Sequence, residues 1–453
     1  MSILPGRIPS QTKAPMFSVL RDRTYRHLFF AQVIALLGTG LATVALGLLA
    51  YDIAGADAGA VLGTALAIKM VAYIGVAPVA SAFAERLPRR ALLVSLDVVR
   101  AGVALLLPFV TQVWQVYALI FVLQCASAGF TPTFQATIPD VLAKEEDYTN
   151  ALSLSRMAYD METLVSPAVA ALLLSVISYH ALFAGTVAGF LASAALVVSA
   201  VLPKAKRPPP RSIYERTTRG ARIYLATPRL RGLLALNLTI ACGSAMVIVN
   251  TVVLVQAQFG LTQRATAIAL ALFGSGSMLM AFALPRLLER LPERRVMLTG
   301  AGLIAAGMLG GAFVAQRYGP LLALWFVLGM GYSLAQTPSG RLLRRSAHPE
   351  DRPALFAAQF ALSHACWLVT YPLAGWLGAR AGLDVSFIAL GVLATGALLA
   401  AVRLWPSHDP ERLTHRHEDL PSNDPHWREG RAASDGTHAH SFVIDDHHAH
   451  WPR

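Results

Sequence analysis

The chain has few charged residues and few cysteines for its length. Asp, Glu, Lys and Arg make up only 14% of its 453 residues, and 55% of the residues are hydrophobic. Soluble domains carry about 25% charged residues, so this composition excludes an ordinary water-soluble globular protein. The three cysteines, Cys125, Cys242 and Cys366, lie in apolar stretches without motif spacing, so a disulfide framework is not expected.

The chain instead contains twelve long hydrophobic segments, each near the roughly 20 residues that a helix needs to cross a bilayer core. They lie near 28–50, 60–83, 91–111, 115–137, 152–175, 180–202, 232–256, 265–288, 296–316, 320–340, 355–379 and 384–404. We predict an all-α membrane protein with twelve transmembrane helices.

The net charge of +12 follows a membrane topology and does not indicate nucleic-acid binding. Of the 38 Lys and Arg, 32 fall in the N-terminal arm, the even-numbered loops and the tail or within three residues of them. Only Arg264, Arg317 and Arg380 fall in the odd-numbered loops. Because positive charge stays on the cytoplasmic side, we expect a multi-pass protein of the plasma (inner) membrane with both termini cytoplasmic.

A short motif recurs at the same place in the two halves of the chain. Glu85-Arg86-Leu87-Pro88 returns as Glu289-Arg290-Leu291-Pro292, and an arginine pair follows each copy. Each copy separates the second hydrophobic segment of its half from the third. The repetition indicates a duplicated six-helix unit, so we predict two pseudo-symmetric six-helix bundles, an arrangement typical of secondary transporters.

Composition sets the predicted boundaries of these parts. They are a cytoplasmic N-terminal arm (1–27), an N-terminal bundle (28–202), a basic cytoplasmic linker (203–231), a C-terminal bundle (232–404) and a tail (405–453). The tail lacks hydrophobic periodicity and holds nine of the 13 histidines. We expect it to be disordered without a ligand.

Two stretches resemble a known family. Ser81-Ala82-Phe83-Ala84-Glu85-Arg86-Leu87-Pro88-Arg89-Arg90 resembles the signature loop of the major facilitator superfamily, in which an acid, an arginine and a terminal basic pair recur. Phe130-Thr131-Pro132-Thr133-Phe134-Gln135-Ala136 and Ile138-Pro139-Asp140 resemble the drug-exporter branch that includes enterobactin exporters. The resemblance implies the major facilitator fold and transport by alternating access. The His-rich tail is similar to that of nickel-resistance exporters in the superfamily.

The resemblance implies that Glu85 and Arg86 help to form a cytoplasmic gate. We group with them the basic and acidic residues of the two matching loops and an intrahelical pair at i and i+3: Arg89, Arg90, Glu289, Arg290, Asp97 and Arg100. Loop arginines can pair with acids and helix ends in one state and release them in the other. The alternative is that these charges only enforce topology.

Ionisable residues at membrane depth are costly, so each is a candidate for function. Besides the pair above, these are Lys69, Arg156, Asp160, Glu162 and His364. Arg156 and Asp160, four residues apart, can neutralise each other. Glu162 lies near the midplane, where it can load and release a proton, and Lys69 is a possible counter-ion for Glu162 or Asp160.

The offset between the halves aligns Asp160 with His364 and Glu162 with Cys366. Carboxylate, imidazole and thiolate are ligands for borderline divalent metals, so a midplane metal site is one hypothesis. Interhelical hydrogen bonding by His364 and apolar packing of Cys366 are the alternatives.

Three histidine clusters in the tail are further candidate metal ligands. They contain His415, His417, His438, His440, His447, His448 and His450. Imidazoles suit nickel, zinc, copper and cobalt ions, although the spacing matches no closed zinc-finger pattern. A low-complexity extension without a metal role is the alternative.

These observations favour a secondary active transporter that exports a small substrate in exchange for protons. A divalent cation, nickel or cobalt first, is the favoured substrate because of the tail, Glu162 and His364. Export of drugs or siderophores is the alternative, and a metal-responsive membrane sensor is the hypothesis outside transport. No nucleophile–base grouping or phosphate loop points to an enzyme, and no bound cofactor is expected.

Overall fold

A computed structural model describes most of the chain. The described residues are 16–54, 58–84, 87–203, 212–410, 412–416, 431–432, 437–448 and 450–452. Three predicted site residues, Glu85, Arg86 and His417, lie outside these ranges.

Fourteen α-helices make up the described part of the membrane body and its linker. In chain order they are α1 Arg23–Ala54, α2 Ala58–Ala84, α3 Arg89–Leu106, α4 Val113–Val141, α5 Glu145–Leu174, α6 Tyr179–Ser199, α7 Ile213–Ala226, α8 Pro228–Val252, α9 Gln263–Arg290, α10 Glu293–Val314, α11 Tyr318–Gln336, α12 Ser339–Arg345, α13 Arg352–Arg380 and α14 Leu383–Leu404.

Each of the twelve predicted segments corresponds to one long helix, and α7 and α12 are additional short ones. Within the described residues, ten of the long helices are long and apolar enough to cross a membrane. The other two are α2, which contains the shorter apolar stretch Ala67–Ala80 within its described residues, and α5, whose 30 residues include several charges. Both lie where the sequence predicts membrane helices.

The two halves repeat the same packing scheme. In the N-terminal half α1 packs on α6, α2 on α4, and α3 on both α4 and α6. In the C-terminal half α8 packs on α14, α9 on α11, and α10 on both α11 and α14. The halves meet through α2 against α13 and α5 against α9, which are equivalent positions under the duplication. The scheme is that of a major facilitator fold.

Glycines bring the helices of the C-terminal half into close contact. A Cβ at Gly329 of α11 would overlap the carbonyl oxygen of Phe273 in α9, and one at Gly276 of α9 would overlap that of Phe326. Small residues that allow backbones to approach closely are typical of helix contacts in membranes.

One end of the bundle carries α7, α12 and the loops that precede α3, α5, α10 and α13. We call it the linker face; the charge distribution predicts that it is cytoplasmic. The helix α7 lies against α13 and also contacts α2. Arg219 of α7 donates bidentate hydrogen bonds of 2.6 and 2.8 Å to Asp351, the residue before α13. The linker is therefore anchored to the C-terminal half.

The described part of the tail forms a small antiparallel sheet, which differs from the expectation of disorder. Its strands are β1 Arg412–Arg416, β2 Arg431–Ala432 and β3 Thr437–Ser441, in the order β1-β3-β2. Phe442, Val443 and Ile444 follow β3 and are buried, and Phe442 and Ile444 join the apolar cluster around Leu342 and Leu355. This short apolar run gives the tail a hydrophobic anchor, which its polar average composition conceals.

Candidate functional site

A carboxylate at the end of α4 joins the two halves on the linker face. Asp140 accepts a 2.5 Å hydrogen bond from Arg89 at the start of α3, in its own half. It also accepts a 2.8 Å hydrogen bond from Arg352 at the start of α13, in the other half. Both arginine side chains are largely buried, so each pair is only partly screened by solvent.

A second set of bonds between the halves lies at the start of α5. Glu145 pairs with Arg341 at 2.9 Å and with Arg344 at 2.6 Å, both on α12. Arg341 also donates to Thr149 of α5 at 2.8 Å, and Arg344 donates to the carbonyl oxygen of Ala143. The helix α12 is therefore held against the first turn of α5.

We call Asp140, Glu145, Arg341, Arg344 and Arg352 the inter-half clamp. Four hydrogen bonds between described residues of the two halves lie at the linker face, and another, between Arg156 and Tyr332, lies at mid-depth. The structure is thus closed at the linker face.

Four of the predicted gate residues lie on the linker face, namely Arg89, Arg90, Glu289 and Arg290. Arg89 bonds Asp140, as described above. Arg90 donates a 2.6 Å hydrogen bond to the carbonyl oxygen of Ala200, which follows α6 in the same half. Glu289 lines a cavity of about 610 Å³ between α5 and α9, and Arg290 is the last residue of α9.

Asp97 and Arg100 lie inside the N-terminal bundle. They form an intrahelical ion pair, and Ser193 of α6 donates a 2.8 Å hydrogen bond to Asp97. The Arg100 guanidinium lies 4.0 Å from the ring centroid of Phe130 and 4.6 Å from that of Phe190. The pair therefore ties α3 to α4 and α6 within the N-terminal half.

Three charged residues lie near the middle of α5. Because this helix begins seven residues before the predicted segment, Glu162 is about 25 Å along a helix about 45 Å long. Arg156 forms an ion pair with Asp160 and donates a 3.3 Å hydrogen bond to the hydroxyl of Tyr332 on α11. The mutual neutralisation of Arg156 and Asp160 thus coexists with a contact between the halves.

Glu162 lies beside the first helix. An ideal Cβ at Gly40 of α1 would overlap the side chain of Ser166 and come 3.1 Å from the Glu162 carboxylate oxygen, so the glycine leaves room for Ser166 beside the acid. Lys69 and Arg156 are cations whose charges act on Glu162. The Lys69 ammonium also lies 5.5 Å from the ring centroid of Tyr73.

An aromatic face on α13 looks toward α2. We call Phe360, His364, Trp367 and Tyr371 the aromatic stripe; they occupy one face of α13 at helical spacing. The ring centroid of Tyr73 on α2 lies 4.7 Å from the ring centroid of Phe360 and 4.7 Å from that of His364. His364 Nδ1 lies 2.7 Å from the carbonyl oxygen of Phe360. The buried indole N–H of Trp367 has no hydrogen-bond partner among the described residues.

The hypothetical midplane metal ligands do not form a cluster. The described residues contain one group of three or more His, Cys, Asp or Glu with convergent ligand atoms, and it lies in the tail. Cys366 donates to the carbonyl oxygen of Leu362, four residues earlier, and His364 packs in the aromatic stripe.

The tail brings four of its predicted histidines together. His415 on β1, His438 and His440 on β3, and His448 after β3 have ring centroids 4.4–5.2 Å apart in the pairs that touch. His447 and His450 are exposed. The described histidines of the predicted clusters therefore separate into a largely buried group of four and an exposed pair.

Sequence reasoning missed the residues of the inter-half clamp, although their charges contain a signal. The junction of α4 and α5 carries Asp140, Glu145, Glu146 and Asp147, whereas the equivalent junction of α11 and α13 carries three arginines on α12 and Arg352. Opposite charges on equivalent loops of a duplicated protein predict that the loops pair when the halves approach.

Comparison with known proteins adds the family. The chain is 22% identical over 329 residues to an uncharacterized MFS-type transporter, YfiS, of Bacillus subtilis (strain 168), across 70% of this chain and 78% of that protein. It is 29% identical over 153 residues to macrolide efflux protein A of Streptococcus pyogenes and 28% identical to that of Enterococcus faecalis. These two matches span 38% and 47% of the efflux proteins' lengths, well short of the whole.

Solved structures and the family's sequence pattern agree. The crystal structure of the human organic anion transporter MFSD10 (TETRAN) has a TM-score of 0.74 at 12% identity, covering 86% of this chain and all of that one, which shows a shared fold. The sequence pattern of the Major Facilitator Superfamily matches residues 28–246 and 233–434. The chain therefore belongs to the Major Facilitator Superfamily and is a multi-pass membrane transporter, not an enzyme.

Proposed function

We propose that this transporter exports amphipathic organic molecules from the cytoplasm, and that they bind at mid-depth between the halves. The observation that carries the proposal is the aromatic stripe of α13 opposite Tyr73 of α2. Small-molecule sites are mostly aromatic and apolar with a few placed polar groups, and Trp367 and Lys69 supply such groups here. The relatives named as macrolide efflux proteins support export of an organic substrate.

The divalent-cation hypothesis has less support at membrane depth. A dehydrated nickel or cobalt ion needs several nitrogen, oxygen or sulfur ligands at once. Within the described helices, Glu162, His364 and Cys366 form no convergent group of that kind. Aromatic rings instead offer stacking of about 0.5–1.5 kcal/mol per pair to a flat or apolar ligand.

Glu162 is our candidate for coupling export to protons. Its side chain is half-buried beside Gly40, with Lys69 and Arg156 nearby. When the halves rearrange, the carboxyl group can release its proton and pair with one of these cations. In this scheme the inter-half clamp closes the cytoplasmic side, and its release returns the site to the cytoplasm.

The test measures accumulation of a macrolide and of a fluorescent cationic dye in cells that lack their major efflux pumps. Expression of the wild-type chain should lower both. Trp367→Ala should lose most of this effect because it removes an aromatic ring and a donor from the stripe. Trp376→Ala is the matched control, since Trp376 is on the same helix but is 59% exposed.

Two outcomes contradict the proposal. Unchanged accumulation of both compounds together with higher nickel or cobalt tolerance would favour cation export. Unchanged accumulation and unchanged tolerance, with no proton-driven transport by purified protein in liposomes, would favour the sensor hypothesis.

A further inference from the structure

The buried histidines of the tail converge through their ring nitrogens. His415 Nε2 lies 2.9 Å from His448 Nε2 and 3.2 Å from His440 Nε2. The ligand atoms of His415, His438 and His440 all lie within 4.8 Å of one another. Four nitrogens arranged tetrahedrally at about 2.0–2.1 Å from a metal ion are about 3.3 Å apart, so these spacings approach those of a coordination shell.

The other ring nitrogens of three of these histidines face oxygen atoms. His448 Nδ1 lies 2.8 Å from Asp445 Oδ1, His440 Nδ1 lies 2.9 Å from the carbonyl oxygen of Ser441, and His415 Nδ1 lies 3.2 Å from that of Leu413. Carbonyl oxygens only accept hydrogen bonds, so Nδ1 carries the proton in those rings. In the neutral imidazoles the Nε2 lone pairs then point toward one another, which is unfavourable unless a cation lies between them.

Asp445 completes this outer arrangement. Its Oδ1 accepts hydrogen bonds of 2.9 and 2.8 Å from the backbone N–H groups of His447 and His448. The same oxygen lies 2.8 Å from His448 Nδ1, so the carboxylate fixes the orientation of that ring. A carboxylate–histidine pair of this kind orients the ligands of many protein metal sites.

The local fold explains why these residues meet. His415 is directly opposite His438 in the antiparallel pairing of β1 and β3, and His440 is two residues further on the same face. The buried segment Phe442–Ile444 then turns the chain so that His448 returns to His415. His438, His440 and His448 are only 1–5% exposed, so a bound ion would be shielded from water.

We propose that His415, His438, His440 and His448 form a binding site for a borderline divalent cation such as Zn²⁺ or Ni²⁺, and that the ion fastens the tail to the linker face. An all-imidazole set suits these metals. The site is separate from the membrane-depth aromatic stripe, so it does not depend on what the transporter exports.

Contacts between the tail and the transporter body connect the proposed site to the loop before α13. The second oxygen of Asp445 lies 3.3 Å from His348 Nε2, in the loop between α12 and α13. Asp446 accepts a 2.8 Å hydrogen bond from Arg219, which also holds Asp351. Ordering His448 and Asp445 around an ion thus stabilises the loop from which Arg352 reaches the N-terminal half.

The first test measures metal retained by the full-length purified protein. The protein is stripped with a chelator, dialysed against Zn²⁺ or Ni²⁺ alone, and its metal content and affinity are measured. We expect one tightly held ion per chain, at least about 100-fold weaker binding in His440→Ala and His448→Ala, and about 10–100-fold weaker binding in Asp445→Asn. The exposed neighbours supply matched controls, His447→Ala and His450→Ala, whose affinity should change little.

The second test follows docking of the tail. Trypsin cleavage after Arg412 and Arg416 should slow when Zn²⁺ is added to the wild type, and should be unaffected by Zn²⁺ in His440→Ala. His415→Gln replaces His440→Ala if elution and melting show that the latter fails to fold.

Two results would overturn the site. Equal loss of affinity in the four alanine variants would mean that the histidines chelate as a low-complexity tail. Retention of no ion by the wild type would mean that the imidazoles share protons only.

Discussion

Neutralising Asp140 should open the linker face, because its carboxylate holds arginines from both halves. The substitution Asp140→Asn keeps the side chain's size and removes its charge. The bond from Arg352, at 2.8 Å, crosses between the halves, whereas the bond from Arg89, at 2.5 Å, stays within one half. Only the first bond contributes directly to the balance between closed and open states.

The magnitude follows from partial burial. Hydrogen bonds to charged groups contribute about 1.5–3 kcal/mol, and exposed ion pairs contribute at most about 1 kcal/mol. Both side chains of the Asp140–Arg352 pair are 15% exposed, so we expect a loss of about 1–2 kcal/mol. Since 1.4 kcal/mol corresponds to a factor of ten, the ratio of closed to open molecules should fall about 5–30-fold.

Spin-label distances between Lys144→Cys and Arg295→Cys would measure this ratio, since both native side chains are exposed on opposite halves of the linker face. The native cysteines are first replaced by alanine. Asp384→Asn is the control, because Asp384 accepts a hydrogen bond from Gln316 within its own half, at the opposite end. If Asp140→Asn shifts the ratio equally with and without Arg352→Gln, the pair is uncoupled and the reasoning fails.

Three further predictions address α5, the helix contacts and the buried pair. Glu162→Gln should abolish transport driven by a pH gradient in liposomes while membrane insertion stays normal; retained pH-driven transport would remove Glu162 from coupling. Gly329→Ala should lower the melting temperature, since overpacking costs about 1–3 kcal/mol. Gly302→Ala is the control and should not lower it, because the space around its Cβ is open. Equal melting temperatures in the two variants would count against the close contact of α9 and α11. Asp97→Asn should destabilise the protein by about 3–5 kcal/mol because Arg100 keeps its buried charge. The double variant Asp97→Leu/Arg100→Met should recover much of the yield of folded protein. A clearly smaller destabilisation by Asp97→Asn would contradict the pairing.

The major facilitator fold could be predicted from the sequence because its evidence is spread along the whole chain. The motif at Glu85 and its copy at Glu289 predict a duplication, and the helix pairs of the two halves repeat as a duplication requires. Hydrophobic length also predicts where the membrane helices lie. It predicts the ends of the helices poorly, because helical residues need not be apolar. For example, α5 begins at Glu145, and the first turn of this helix is charged.

The candidate site was less predictable because it depends on contacts between distant residues. Spacing alone predicted the pairs Arg156–Asp160 and Asp97–Arg100, since residues three or four apart share a helix face. Nothing local indicates that Arg156 also meets Tyr332, 176 residues away. The break at Thr337 and Pro338, which separates α12 from α11, likewise has no counterpart in α4, where Pro132 is accommodated inside the helix.

That break gives α12 two sets of partners. Arg341 and Arg344 bind Glu145 of the N-terminal half, while Arg345, on the same seven-residue helix, donates a 2.6 Å hydrogen bond to Asp409 at the start of the tail. Asp409 also accepts from Arg229 of α8 at 3.0 Å, so the tail, the C-terminal bundle and α12 share one carboxylate. A short helix held from both sides moves as a unit, because its three arginines cannot shift independently. Tail docking and closure of the inter-half clamp therefore favour the same position of α12, and each should stabilise the other.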